Sequence, residues 1–93
     1  MHIFWDESKR QTNMEKDGLD FEDSKLFFSR PTLITPDARH DYGEPRYKAI
    51  GELRGVGVYI VFTIRSGAVR IISMRPANRK ERDAYANFDQ KRS

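Results

Sequence analysis

The stretch "VGVYIVFTI", residues 56–64, constrains the fold more than any other part of the chain. Its β-branched and aromatic residues define a strand. Val56, Val58, Ile60, Phe62 and Ile64 fall on one face, and Gly57, Tyr59, Val61 and Thr63 on the other. Both faces are largely apolar, so this strand has to lie inside a sheet and be covered on both sides or nearly so. Arg54-Gly55 before it and Ser66-Gly67 after it are turn dipeptides. They join it to "RYKAIGEL" at 46–53 and "VRIISMR" at 69–75. Links this short make an antiparallel meander, because a parallel link needs a crossover.

The remaining elements follow from caps and breakers. "HIFWD" at 2–6 reads as a short strand, and Asp6 is placed to cap the polar helix "ESKRQTNMEKD", which Gly18 ends in the left-handed conformation. Within that helix only Met14 is strongly apolar, so most of it is expected in solvent. "LDFEDSKLFF" starts a second helix: Asp20 and Asp23 resemble a capping box, and Phe21, Leu26, Phe27 and Phe28 offer an apolar side. Pro31 ends it, and the chain from there to Pro45 reads as a loop of about fifteen residues, long enough to be functional. A last helix starts at Asn78, with Asn78 and Glu81 forming a capping box. The expected fold is therefore a single α+β domain over residues 1–93, a small antiparallel sheet flanked by helices in the order β-α-α-β-β-β-α. The two N-terminal helices should pack on one face, with the last helix joining them or closing an edge.

Composition narrows the function classes. The chain has no cysteine, which removes disulfides and thiolate metal sites, and no apolar run long enough to span a bilayer. Its opening "MHIFWDESKR" lacks the apolar segment of a signal peptide, so a cytoplasmic location is expected and no membrane partner. The net charge of +3 is small, but residues 46–93 carry seven more basic than acidic side chains. An anionic ligand in that half fits the distribution better than the sum.

Two basic clusters carry the candidate chemistry. In "IISMRPANRKERDAY" at 71–85, simple alternation puts Ile71, Ser73 and Arg75 on one face and Arg70, Ile72 and Met74 on the other. Arg75, at a strand end, needs either a buried carboxylate or an anionic ligand, and its planar fork suits phosphate. Ala77, Glu81, Tyr85 and Phe88 share one side of the helix. Glu81 is then a cap, a catalyst or both, while Arg79 and Lys80 are most simply solvated charge. In "RHDYGEPRYK" at 39–48, His40 lies in the long loop, and Arg46 and Lys48 share a strand face. Glu44 can orient His40 or one of the arginines, and a histidine among arginines can handle protons while they stabilise phosphate charge. Asp37 and Asp41 offer a magnesium alternative, although loop aspartates more often make turns.

There is no HExxH, Gly-rich phosphate loop or GxSxG. Nuclease chemistry without metal or other cofactor would have to act on RNA, whose 2′-hydroxyl is an internal nucleophile. "WDE" at 5–7, Asn13 followed by "KDG", "DFEDS", His40, "GE" with Arg46, "RIISMR", and Ala77 followed by "ER" and Tyr85 together resemble the BrnT toxins of bacterial type II toxin–antitoxin systems. The resemblance covers residues 4–85. It implies a RelE-like fold, RNA cleavage that arrests translation, and a separate BrnA-like ribbon-helix-helix antitoxin through which operator DNA is contacted. It also implies roles: Arg75 and Arg46 on phosphate, Glu81 or His40 in proton transfer, Lys48 and Arg82 in RNA binding, Tyr85 positioning the site or stacking on a base, and Glu44 in support. The chain departs from the family at Asp17, where "KHG" is usual. The alternative is a non-catalytic module whose basic face binds RNA or an acidic protein.

Overall fold

The computed structural model describes residues 1–39, 41 and 43–92. Its elements run β1 (Ile3–Trp5), α1 (Glu7–Asp17), a 3₁₀ turn (Phe21–Asp23), α2 (Ser24–Phe28), β2 (Leu33–Pro36), β3 (Tyr47–Leu53), β4 (Val56–Arg65), β5 (Ala68–Pro76) and α3 (Arg79–Arg92). The strands form one sheet in the order β1-β5-β4-β3-β2. β4 is its centre, antiparallel to β3 and β5 on either side. Both hairpins turn on two residues with positive φ, Arg54-Gly55 and Ser66-Gly67, the geometry that matches the right-handed twist of the flanking strands. Only β1 is parallel to its neighbour, pairing Ile3–Trp5 with Val69–Ile71, so the sheet is mixed rather than wholly antiparallel.

Part of the segment expected to be loop is a strand. β2 pairs antiparallel with β3 from Leu33↔Ile50 to Pro36↔Tyr47. The Asp37 N–H donates to the Arg46 carbonyl at 2.8 Å, which makes Asp37 and Arg46 a hydrogen-bonded pair. By alternation Pro36 then turns its nitrogen to the open edge, where the missing N–H costs no ladder bond. Proline therefore marks an edge strand here, not a loop.

Each face of the sheet has its own cover. Phe21 and Phe27 pack with Ala49, Leu53, Val58, Ile60, Phe62, Ile71 and Met74 on one side. A Cβ at Gly51 would sit 2.9 Å from the Phe27 ring, so only glycine lets that ring lie against β3. On the other side Tyr85 and Ala77 pack with Ile50, Tyr59 and Val61, with Leu33, Ile72 and Phe88 at the margin. The last helix thus neither joins the N-terminal helices nor closes an edge: it covers the opposite face. The expected alternation along β5 also fails. Val61 pairs with Ser73 but Phe62 with Ile71, so Ile72 is the extra residue of a bulge. Ile71 and Met74 consequently point into the same core, and Arg75 emerges on the α3 side.

Asn13 ties α1 to the sheet. It is the buried residue of a helix otherwise turned to solvent, with Asp6 and Gly18 capping the ends as expected. β1 covers β5 only as far as Ile71. Beyond that point Asn13 Oδ1 accepts the Met74 N–H at 3.1 Å, while Asn13 Nδ2 donates to the Leu19 carbonyl at 3.2 Å. Asn13→Ala leaves both backbone groups unpaired in a buried setting and should cost about 2–4 kcal/mol. Urea unfolding followed by circular dichroism would read this as a lower midpoint at unchanged slope, and a midpoint equal to the wild type would refute the clamp.

Candidate functional site

The end of β5 and the start of α3 are joined through one carboxylate. Asn78 and Glu81 form a reciprocal capping box: the Glu81 N–H donates to Asn78 Oδ1 at 2.8 Å, and the Asn78 N–H donates to Glu81 Oε1 at 2.9 Å. The same Glu81 accepts both prongs of Arg75, Nη1 to Oε1 and Nη2 to Oε2, each at 2.8 Å. Arg75 Nη1 also donates to the Pro76 carbonyl at 3.1 Å. Its guanidinium carbon lies 3.8 Å from the centroid of the Tyr59 ring, directly across the ladder from it. Of the two partners open to Arg75, the one in place is a carboxylate, and Glu81 serves as cap and counter-ion together. The Arg75 hydrogen bonds hold the Glu81 carboxyl below the usual glutamate range, and Glu81 in turn raises Arg75.

The sheet face beside this pair is basic. Ile50 packs under α3, so Lys48 on β3 and Arg46 just before it, two and four residues earlier, fall on the same face. Lys48 pairs with Val61, and its charge lowers both Glu81 and Asp37. Leu33 and Thr35 of β2 alternate onto this face, and Asp37 continues the series. Asp37 Oδ1 and Oδ2 accept Arg39 Nε and Nη2 at 2.8 and 2.9 Å, which holds the Asp37 carboxyl below its usual range. The face thus carries two guanidinium–carboxylate pairs, Arg75–Glu81 and Arg39–Asp37, with Tyr59 and Lys48 close to both.

Of the residues read from the sequence, Arg75, Glu81, Lys48 and Arg46 share this face, whereas Glu44, Arg82 and Tyr85 are engaged elsewhere. Glu44 accepts Arg65 Nε and Nη2 at 3.2 and 3.1 Å, so its hydrogen-bonded partner is the arginine at the end of β4, while Arg46 acts on it through charge alone. Arg82 folds back on its own helix start, with Nη1 on the Ala77 carbonyl at 2.7 Å and its stem over Gly57. Tyr85 is 8% exposed and its hydroxyl donates to the Pro31 carbonyl at 2.9 Å, so it ties α3 to the chain just before β2, and with Arg82 it lines a cavity beside Ile50 and Gly57 rather than the Arg75 surface. His40 lies outside the described residues.

Asp37 and Asp41 do not converge as a magnesium pair: Asp41 accepts the Gly43 N–H at 3.0 Å within a turn. Among the described residues no group of three or more His, Asp or Glu side chains could hold a metal ion. The sequence reading missed Tyr59 and Arg39. The hairpin register, which puts Tyr59 opposite Arg75, was the signal for the first. Arg39 follows only once β2 is known to be a strand.

The fold and this face define a small α+β domain that presents a basic, carboxylate-braced surface at a strand-to-helix junction. The profile of the family described as "Ribonuclease toxin, BrnT, of type II toxin-antitoxin system" matches residues 5–81, and the chain belongs to that family. The matched span includes Arg75 and Glu81 and stops short of Arg82 and Tyr85. The α+β architecture, a small sheet flanked by helices, agrees with the RelE-like fold expected of it. A comparison with curated proteins returns no match. Membership makes the chain a toxin component, which implies a cognate antitoxin. No helix among the described residues is long and apolar enough to cross a membrane.

The Glu81 pair also sets an acid-side stability limb. Its folded pKa lies below the ordinary value of 4.5, so its contribution is complete above that value and lost as pH falls through the folded one. Glu81→Gln keeps the cap geometry but loses the charge, and should cost about 2 kcal/mol near neutral pH. Urea midpoints across a pH series should show the gap from wild type narrowing below pH 4.5. A gap that stays constant with pH would rule out the charged pair as its source.

Proposed function

We propose that the protein is a metal-independent endoribonuclease toxin, which cleaves RNA through the substrate's own 2′-hydroxyl and so inhibits translation. The observation that carries this reading is the Arg75–Glu81 pair stacked on Tyr59, a phosphate-shaped cation beside a carboxylate on a basic face. In the reaction the 2′-oxygen loses its proton and attacks the adjacent phosphorus. The pentacoordinate phosphorane then expels the 5′-oxygen, which takes up a proton. A 2′,3′-cyclic phosphate and a 5′-hydroxyl result, with no water consumed and no metal required.

The chain's residues have separable parts in that sequence. Arg75, Lys48 from β3 and Arg46 just before it neutralise the charge that builds on the phosphorane. Proton transfer falls to Glu81 or His40. Glu81 is ionised at neutral pH, the form that accepts a proton, but Arg75 makes it a weak base. A phosphodiester that draws the Arg75 fork onto itself removes that restraint, and the Glu81 carboxylate then regains ordinary basicity beside the bound phosphate. The Asn78 N–H still holds Glu81 Oε1, so the base keeps its place.

The antitoxin in this reading is a BrnA-like ribbon-helix-helix protein, and operator DNA is contacted through the complex. A non-catalytic reading draws on the same pair, because Arg75 is already satisfied by Glu81. Purified wild type should cleave RNA equally with and without EDTA, leaving cyclic-phosphate ends. Arg75→Ala, folded by circular dichroism, should lose at least about 100-fold in rate. Full cleavage by folded R75A removes Arg75 from the mechanism. RNA binding with no cleavage by the wild type favours the non-catalytic module, and a strict magnesium requirement refutes the metal-independent route.

A further inference from the structure

The Arg39–Asp37 pair repeats the construction of the Arg75–Glu81 pair on the same face. In each a carboxylate is sunk into the protein and chelates a guanidinium that stays at the surface. The Asp37 side chain is 0% exposed and Arg39 is 56% exposed; Glu81 and Arg75 are 18% and 37% exposed. A surface ion pair adds little stability, and burying a carboxylate costs several kcal/mol. Such an arrangement has its clearest return in orientation: the guanidinium is held in place, and it stays at the surface.

Position supports the same conclusion. Asp37 continues the alternation of Leu33 and Thr35 onto the α3-side face and is pinned there by its N–H bond to Arg46. Tyr59, 4% exposed, lies with its ring under Arg75; burial raises its hydroxyl, and the charges of both pairs, Arg39 and Asp37 as well as Arg75 and Glu81, act on it. Arg39 also acts on Arg75 itself, and Lys48 on both carboxylates. Two aimed cations flank one buried tyrosine, with a lysine serving both.

Building on the RNA-acting reading of this face, we infer that Arg39 is a second phosphate-binding residue of the site, and that the substrate is an RNA strand engaged through two phosphates rather than one. Arg75 takes the phosphate to be cut and Arg39 takes a neighbouring one across Tyr59. A dinucleoside monophosphate, with a single phosphate, meets only half of the site.

The test is binding of a single-stranded RNA oligonucleotide bearing 2′-O-methyl groups throughout, which cannot be cleaved, followed by fluorescence anisotropy over a range of potassium chloride concentrations. Each phosphate contact on a single strand contributes about 0.7 to the slope of log K against log salt. Arg39→Ala should lower the slope by about 0.7, Arg75→Ala by the same, and the double variant by about 1.4. Arg39→Gln, which can still hydrogen-bond Asp37, should behave like R39A and is read in its place if R39A does not fold. An unchanged slope and affinity in the Arg39 variants overturns the proposal, as does a wild type that fails to bind the probe. A double variant no weaker than either single places both arginines on one phosphate and overturns the two-phosphate substrate. Because the probe is uncleavable, a wild type that binds with the expected slopes yet cuts no RNA sinks only the ribonuclease reading. Cleavage of ordinary RNA alongside unchanged slopes sinks only this one.

Discussion

A strand that is apolar on both faces has to be covered twice, and that demand on β4 organises the rest of the molecule. With 93 residues there is material for one sheet and a few short helices. The phenylalanines of the 3₁₀ turn and α2 cover one face. α3 is then needed on the other, and its apolar side, Tyr85 and Phe88 with Ala77 just before it, is short. It covers the β3–β4 end of the sheet and leaves the remainder of that face open to solvent. The open part is where Lys48, Arg46, Arg39 and Arg75 project. The site is therefore what remains when a small chain can afford only one helix on the second face.

Glu81 connects that architecture to chemistry. A capping box normally satisfies two backbone donors and nothing more. Here the carboxylate is shared, so the start of α3, the end of β5 and the orientation of Arg75 are fixed by the same two oxygens. Tyr59 completes the arrangement from below, restricting the guanidinium plane that the carboxylate aims. Neither interaction is long-range in sequence apart from the hairpin register, and each is short in space. Rigid placement of this kind is the condition under which a cation can favour a transition state over a ground state.

What could be read directly from the sequence was local. The two hairpins were legible because their turns are two residues long and flanked by alternating strands. The caps at Asp6, Gly18 and Asn78 were legible because each needs only three or four neighbouring residues. Arg75 is legible as a charge at a strand end, and Glu81, six residues on, as a cap, a catalyst or both, but not as its counter-ion. Features set by pairing were not legible. β2 has four residues ending in proline and is a strand only because β3 lies beside it. The bulge at Ile72 depends on register with β4, and it reverses the face of everything after it. Glu44 hydrogen-bonds Arg65 because the hairpin brings the end of β4 beside the loop, 21 residues away in sequence. Asn13 is legible as part of the family pattern but not as a clamp, because that role depends on β1 stopping short of the end of β5.

Arginines already chelated by carboxylates place a condition on any anionic ligand. Each pair is close to neutral at a distance, so the attraction that draws in a polyanion has to come mainly from the remaining excess of the C-terminal half, Lys48, Arg46 and Arg70 among it. Contact with Arg75 or Arg39 is then an exchange, phosphate for carboxylate, in which the donor geometry is conserved and the gain per contact is small. One such exchange discriminates poorly between a phosphodiester and any other anion. Two at a fixed separation discriminate well, because only a polymer with regularly spaced phosphates completes both at the entropic cost of binding once. Under the proposed reading the carboxylates therefore do more than steady the arginines: they suppress binding of isolated anions and leave a regularly spaced phosphate backbone as the ligand with the advantage.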